Sequence, residues 1–101
     1  MRFILKVSLP PETFNEAVRD GSVGEKIGRI LEDTKPEATY FVTDNGDRGA
    51  ILVINMEDVS EMPKYAEPWF LTFDASAEFL PAMTPEDIAQ AGLDELGEKW
   101  G

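Results

Sequence analysis

The sequence predicts a single α+β domain: a four-stranded antiparallel sheet with helices on one face and an added C-terminal helix. Three observations lead there. The apolar residues switch between period two and helical period in the order β-α-β-β-α-β. Asn45–Gly46 joins two strand-like runs through a turn that needs positive φ. The run from Ala50 to Met56 is apolar on both faces, as a strand in the middle of a sheet must be.

Each element has its own signal. Arg2 to Leu9 alternates, with Phe3, Leu5, Val7 and Leu9 on one face and Arg2, Ile4, Lys6 and Ser8 on the other. Pro10–Pro11 ends this strand, and Pro11 suits the first turn of a helix carrying Phe14, Ala17 and Val18. Gly21 breaks that helix. Ser22 and Glu25 have capping-box spacing, and Val23, Ile27, Ile30 and Leu31 form one stripe behind them. Pro36 closes the helix by disfavouring helical geometry at Lys35.

Ala38 to Thr43 reads as the second strand, Asp44 to Gly49 as a turn, and Ala50 to Met56 as the third strand. Asp58 and Glu61 can cap a helix through Val59, Met62, Ala66 and Trp69. Pro63 and Pro68 predict that it is short or kinked. Ala75 to Leu80 is the fourth strand, and Pro81 confines it to an edge or ends it. Thr84–Pro85–Glu86–Asp87 begins a C-terminal helical extension over residues 84–101, divided at Gly92 and Gly97. The domain spans 1–101.

A right-handed crossover makes the first and second strands parallel with a gap between them. The Asn45–Gly46 turn folds the third strand into that gap, and the second crossover sets the fourth outside the first. The result is the order 4-1-3-2, a ferredoxin-like sheet. The doubly apolar strand falls at the centre and the proline-ended strand at an edge.

Composition narrows the chemistry. The 101 residues are 43% hydrophobic and 10% aromatic, enough for a real core. A chain of this length buries roughly 65% of its unfolded surface. It has no Cys and no His, which removes thiolate nucleophiles, Ser–His–Asp arrangements and most transition-metal and haem ligation. No metal or cofactor is therefore expected. Acid–base work would fall to Asp, Glu, Lys, Tyr, Arg or bound water. A net charge of −11 without a basic cluster opposes nucleic acid and anionic membranes. The apolar stretch at the N-terminus is too short to span a bilayer, and a soluble cytoplasmic protein is the expectation.

With helices on one face, the other face of the sheet should carry Ile4, Phe41 or its neighbours, one side of the third strand and Leu80. Arg2, Lys6, Thr39 and Glu78 are interspersed among them. A face that apolar calls for a cover. The C-terminal helix has only a thin apolar stripe, so a second copy of the sheet is the better cover and a homodimer the expected assembly.

The element order, the length, Glu67–Pro68–Trp69–Phe70 and the segment Pro81–Ala–Met–Thr–Pro–Glu–Asp87 together resemble small bacterial proteins of the dimeric α+β barrel superfamily. The resemblance covers nearly the whole chain. It implies a barrel built from two sheets, and in members with known ligands a pocket between sheet and helices. The superfamily includes cofactor-independent monooxygenases, muconolactone-isomerase-like enzymes, YCII-like proteins, haem enzymes and stress-response proteins. The His–Asp pair of YCII-like proteins and the usual haem ligand cannot be carried over to a chain without His.

The expected role is binding of a small, partly apolar molecule between sheet and helices, with no assigned catalytic residue. The alternatives are a cofactor-independent enzyme of isomerase or monooxygenase type, or a structural stress-response protein. Candidate ligand-binding residues are Tyr40, Asn55, Tyr65 and Trp69. Tyr40 can donate a hydrogen bond, and Asn55 interrupts an apolar strand with a buried amide that needs a partner. Tyr65 and Trp69 can wall a planar ligand, although their spacing is also that of core packing. Glu78 is placed for an ion pair with Arg2 or Lys6. Asp44 and Asp47 lack the ligand series of a calcium loop and read as turn chemistry. Gly24 and Gly28 read as a close helix–sheet contact.

Overall fold

Strand β1 (Arg2–Ser8) pairs with β3 (Asp47–Asn55) on one side and β4 (Ser76–Pro81) on the other. Strand β2 (Ala38–Asp44) pairs with the far side of β3. Every pairing is antiparallel, and the order β2-β3-β1-β4 is the predicted 4-1-3-2 read from the opposite edge. The helices are α1 (Pro11–Asp20), α2 (Val23–Thr34), α3 (Met62–Phe73), α4 (Pro85–Ala89) and α5 (Leu93–Trp100). These positions come from a computed structural model that describes residues 1–101.

The core lies between the sheet and helices α1 to α3. Strand alternation sends Phe3, Leu5 and Val7 from β1 and Ala50, Leu52 and Ile54 from β3 to that side, and all are buried. Phe14 and Ala17 meet them from α1, Ile30 from α2, and Tyr65, Trp69 and Phe73 from α3. Trp69 and Phe73 have no exposed surface; their rings stack with centroids 6.2 Å apart. Phe14 lies 5.3 Å from Phe73, and the Arg48 guanidinium sits 4.6 Å over the Phe14 ring. Burial of each such large side chain contributes about 1.5–3 kcal/mol. The Thr13 hydroxyl ties α1 to the end of α3 by donating to the carbonyl of Phe73.

Several local expectations need correction. The turn between β2 and β3 is only Asn45–Gly46, at φ 52° and 82°, because β3 begins at Asp47. This two-residue turn matches the twist of the strands it joins. The Ser22–Glu25 capping box does not form. Ser22 has helical backbone angles, so its hydroxyl makes no cap bond; the Asp20 carboxylate accepts from the Ser22 N–H instead, at 2.8 Å. Gly24 and Gly28 do not abut the sheet: a Cβ on either would meet nothing within 4 Å. Helix α3 accommodates Pro68 in its interior after a one-turn 3-10 lead-in at Val59–Glu61. The Asp58–Glu61 capping box starts that lead-in as predicted. Gly92 separates α4 from α5, but Gly97 lies inside α5.

Thr39 falls on the opposite side from the one expected, and of Phe41 or its neighbours it is the neighbours that reach the open face. Phe41 pairs with Ala50 and Thr39 with Leu52, which are helix-side residues. The neighbours Tyr40 and Val42 take the open face. One residue of register decides this, because side chains alternate strictly along a strand.

The extension beyond β4 does not fold back over the sheet. The molecule measures 60 × 28 × 19 Å, whereas the nine residues of β3 span roughly 30 Å. Its radius of gyration, 17.1 Å, exceeds the roughly 13 Å of a compact chain this long. Helices α4 and α5 form an arm that projects from the body and has no buried residue.

The stacked centre sets a clear expectation. Trp69→Ala should destabilise the fold by about 3–5 kcal/mol, while Leu71→Ala, two residues on and 80% exposed, should shift it by less than about 0.5 kcal/mol. Urea unfolding followed by fluorescence or circular dichroism measures both.

Candidate functional site

Two surfaces of the body can take a partner or ligand. The first is the open sheet face. Register places Leu80, Ile4, Val53 and Ala38 in one row across all four strands. The next row is Glu78, Lys6, Ile51 and Tyr40. Directly opposed side chains in such a sheet have Cβ atoms about 5 Å apart, so each row is a continuous strip. Aliphatic groups thus border an ammonium, a carboxylate and a phenol. Tyr40 is 63% exposed and Leu80 40%. Lys6 and Glu78 are opposed in register, while Arg2 forms its ion pair elsewhere, with Glu37 at 3.0 and 3.3 Å.

The second surface is a groove of about 750 Å³ between α2 and α3, on the side of the helices away from the sheet. Lys26, Arg29 and Lys64 line it beside Ile30, Pro68 and Leu71, with Asp33 and Glu67 also at its walls. No local sequence pattern marks this groove. Its basic residues are 35 or more positions apart between the two helices and become neighbours only when α2 and α3 pack side by side.

The four candidate residues do not share one site. Tyr40 stands on the open face. Tyr65 and Trp69 point into the core, where they are 7% and 0% exposed. Asn55 ends β3, and its amide oxygen accepts from the Met1 ammonium at 3.0 Å. The Tyr65 hydroxyl donates to the Asn55 carbonyl at 3.2 Å, so these two are brought together. The layer beneath the helices is occupied by Trp69, Phe73, Leu5 and Leu52, the largest fully buried side chains along with Ile54 and Met56.

The perturbed carboxylates belong to helix starts. Hydrogen bonding from Ser22, Ser60 and Thr84, whose backbone N–H groups donate to the carboxylates at 2.8, 2.8 and 2.9 Å, holds Asp20, Asp58 and Asp87 below the ordinary value of 3.8. No group of three or more Asp and Glu side chains is placed to hold a metal ion. No helix is long and apolar enough to cross a membrane.

The backbone superposes on 5-chloro-2-hydroxyhydroquinone dehydrochlorinase (TftG) from Burkholderia phenoliruptrix AC1100, solved in complex with 2,5-dihydroxybenzoquinone. The TM-score is 0.61 at 15% identity, over 85% of this chain and 97% of that one. The shared fold is the ferredoxin-like α+β arrangement of a four-stranded antiparallel sheet with helices on one face. Agreement at this identity concerns the fold alone. No family model and no curated protein sequence matches the chain.

The cap at the root of the arm has a defined acid response. A carboxylate whose folded value is lowered adds stability above the unfolded value and loses it as pH falls through the folded one. The α4 turn should therefore lose helical signal below about pH 4. A Thr84→Ala, Asp87→Asn variant should lack that increment already at pH 7, read by far-ultraviolet circular dichroism.

Proposed function

We propose that two copies of this chain pair through their open sheet faces, and that the barrel they close binds a small, partly apolar molecule. The observation that carries this reading is the pair of rows on that face. Leu80, Ile4, Val53 and Ile51 form a surface that gains from leaving water, roughly 25 cal/mol for each Å² removed. The adjoining row supplies Lys6, Glu78 and Tyr40. In a closed barrel these polar groups would lose most of their water, and a bound molecule with oxygen acceptors would satisfy Lys6 and Tyr40. Tyr40 is thus the best placed of the four candidates. Tyr65 and Trp69 would act from the other side, through the core against which the sheet rests, whereas Asn55 lies on the open face beside Arg2 and holds the N-terminal ammonium.

A second reading is a cofactor-independent enzyme. It is supported by the neighbour with the same fold, a dehydrochlorinase of a chlorinated hydroxyhydroquinone. Lys6, Glu78 and Tyr40 are the proton-carrying groups such chemistry would draw on.

Light scattering at micromolar concentration should give twice the 11.2 kDa chain mass. Mass spectrometry of an extract from the denatured protein should release one small molecule in near-stoichiometric amount. A single-chain mass would sink the dimer, and an empty extract together with no saturable uptake of hydroxyquinones would sink the ligand. Tyr40→Phe should weaken uptake about tenfold while preserving mass and fold, in line with the loss of one buried hydrogen bond. Val53→Asp places a carboxylate in the centre of the apolar row and is expected to lower the dimer population severely or unfold the chain. Unchanged mass and expression of that variant would count against this face as the interface.

A further inference from the structure

We propose that the C-terminal arm of one copy docks in the α2–α3 groove of a second copy, as an acidic amphipathic helix in a cationic groove. This goes beyond the ligand reading and does not depend on it.

The arm carries an apolar stripe with nothing against it. Leu93, Leu96 and Trp100 recur at i, i+3 and i+7 of α5 and are 57%, 45% and 77% exposed. The stripe is flanked by Asp94, Glu95 and Glu98, and the arm as a whole has five acidic residues against one basic, Lys99. An isolated eight-residue helix is not stable in water, so α5 needs a surface to fold against.

The groove is the complement. Three of the chain's nine basic residues, Lys26, Arg29 and Lys64, line it around Ile30, Pro68 and an 80% exposed Leu71. They outnumber its two acids in a protein whose net charge is −11. Apolar anchors on a helix entering an apolar groove, with opposite charge at the rims, is a recurring mode of recognition. Charge complementarity of this kind also selects the occupant.

The arm does not fill its own groove, whose walls come from α2 and α3 alone. Its root is held by the Ala82 N–H, which donates to the Arg2 carbonyl at 3.0 Å. From that anchor it runs outward along the 60 Å axis of the molecule. A second copy supplies one groove for every arm. Arm and groove are surfaces distinct from the open sheet face, and exchanged reciprocally between two copies they make a contact with two-fold symmetry of its own.

The absence of Cys permits a direct test. Leu71→Cys and Leu96→Cys are made in separate full-length chains, both at exposed positions. On mixing under mild oxidation, the two should give a covalent two-chain product in clear excess over either variant alone. Adding Lys26→Glu and Arg29→Glu to the groove chain, or raising salt to about 1 M, should reduce that product about tenfold. Absence of the mixed product would overturn the proposal. So would a yield indifferent to charge reversal, or a doubly substituted chain that closes its disulfide only within itself at every concentration.

Discussion

One-sided burial organises this protein. Trp69 and Phe73 stack beneath α3 and press on a sheet whose helix-side positions are Phe3, Leu5, Leu52 and Ile54. That contact takes every helix of the body to the same face of the sheet. A strand alternates without exception, so the apolar residues Ile4, Ile51, Val53 and Leu80 are sent to the other face by the same geometry that buries their neighbours. Helices α4 and α5 have no buried residue and do not cover them. The proposed pairing and ligand binding both rest on that leftover surface.

The polar groups are distributed in keeping with this arrangement. The helix-side layer carries little that could titrate or coordinate. Tyr65 spends its hydroxyl on the Asn55 carbonyl, and Thr34 on the carbonyl of Ile30 one turn earlier. Lys6, Glu78 and Tyr40 sit instead on the open face, among aliphatic side chains. A layer filled by aromatic side chains gives stability, and it is the open face, in the proposed assembly, that would admit a ligand. The likeness to a dehydrochlorinase extends to the backbone, and the two chains need share no chemistry.

The acidic character of the chain has a structural use as well as a solubilising one. Carboxylates start helices: Asp58 with Glu61, and Asp87 with Thr84, satisfy backbone N–H groups that the helix leaves unpaired. The basic residues are fewer and concentrated. Arg2 clamps Glu37, Arg48 covers Phe14, and Lys26, Arg29 and Lys64 gather at the outer groove. An acidic arm and a cationic groove on one chain give copies of it a means of mutual recognition.

The element order, the central place of the third strand, the edge place of the fourth and the Asp58 and Thr84 helix starts were legible in the sequence. Each rests on local period, turn chemistry or capping, which act over a few residues. Tertiary structure alone decided three things. Register put Tyr40 rather than Phe41 on the open face, because a one-residue difference in pairing reverses every side chain. Packing filled the expected helix–sheet pocket with Trp69 and Phe73, because periodicity marks a residue as apolar and not whether space remains beside it. The cationic groove arose where two helices far apart in the chain lie side by side, and no sequence window contains both.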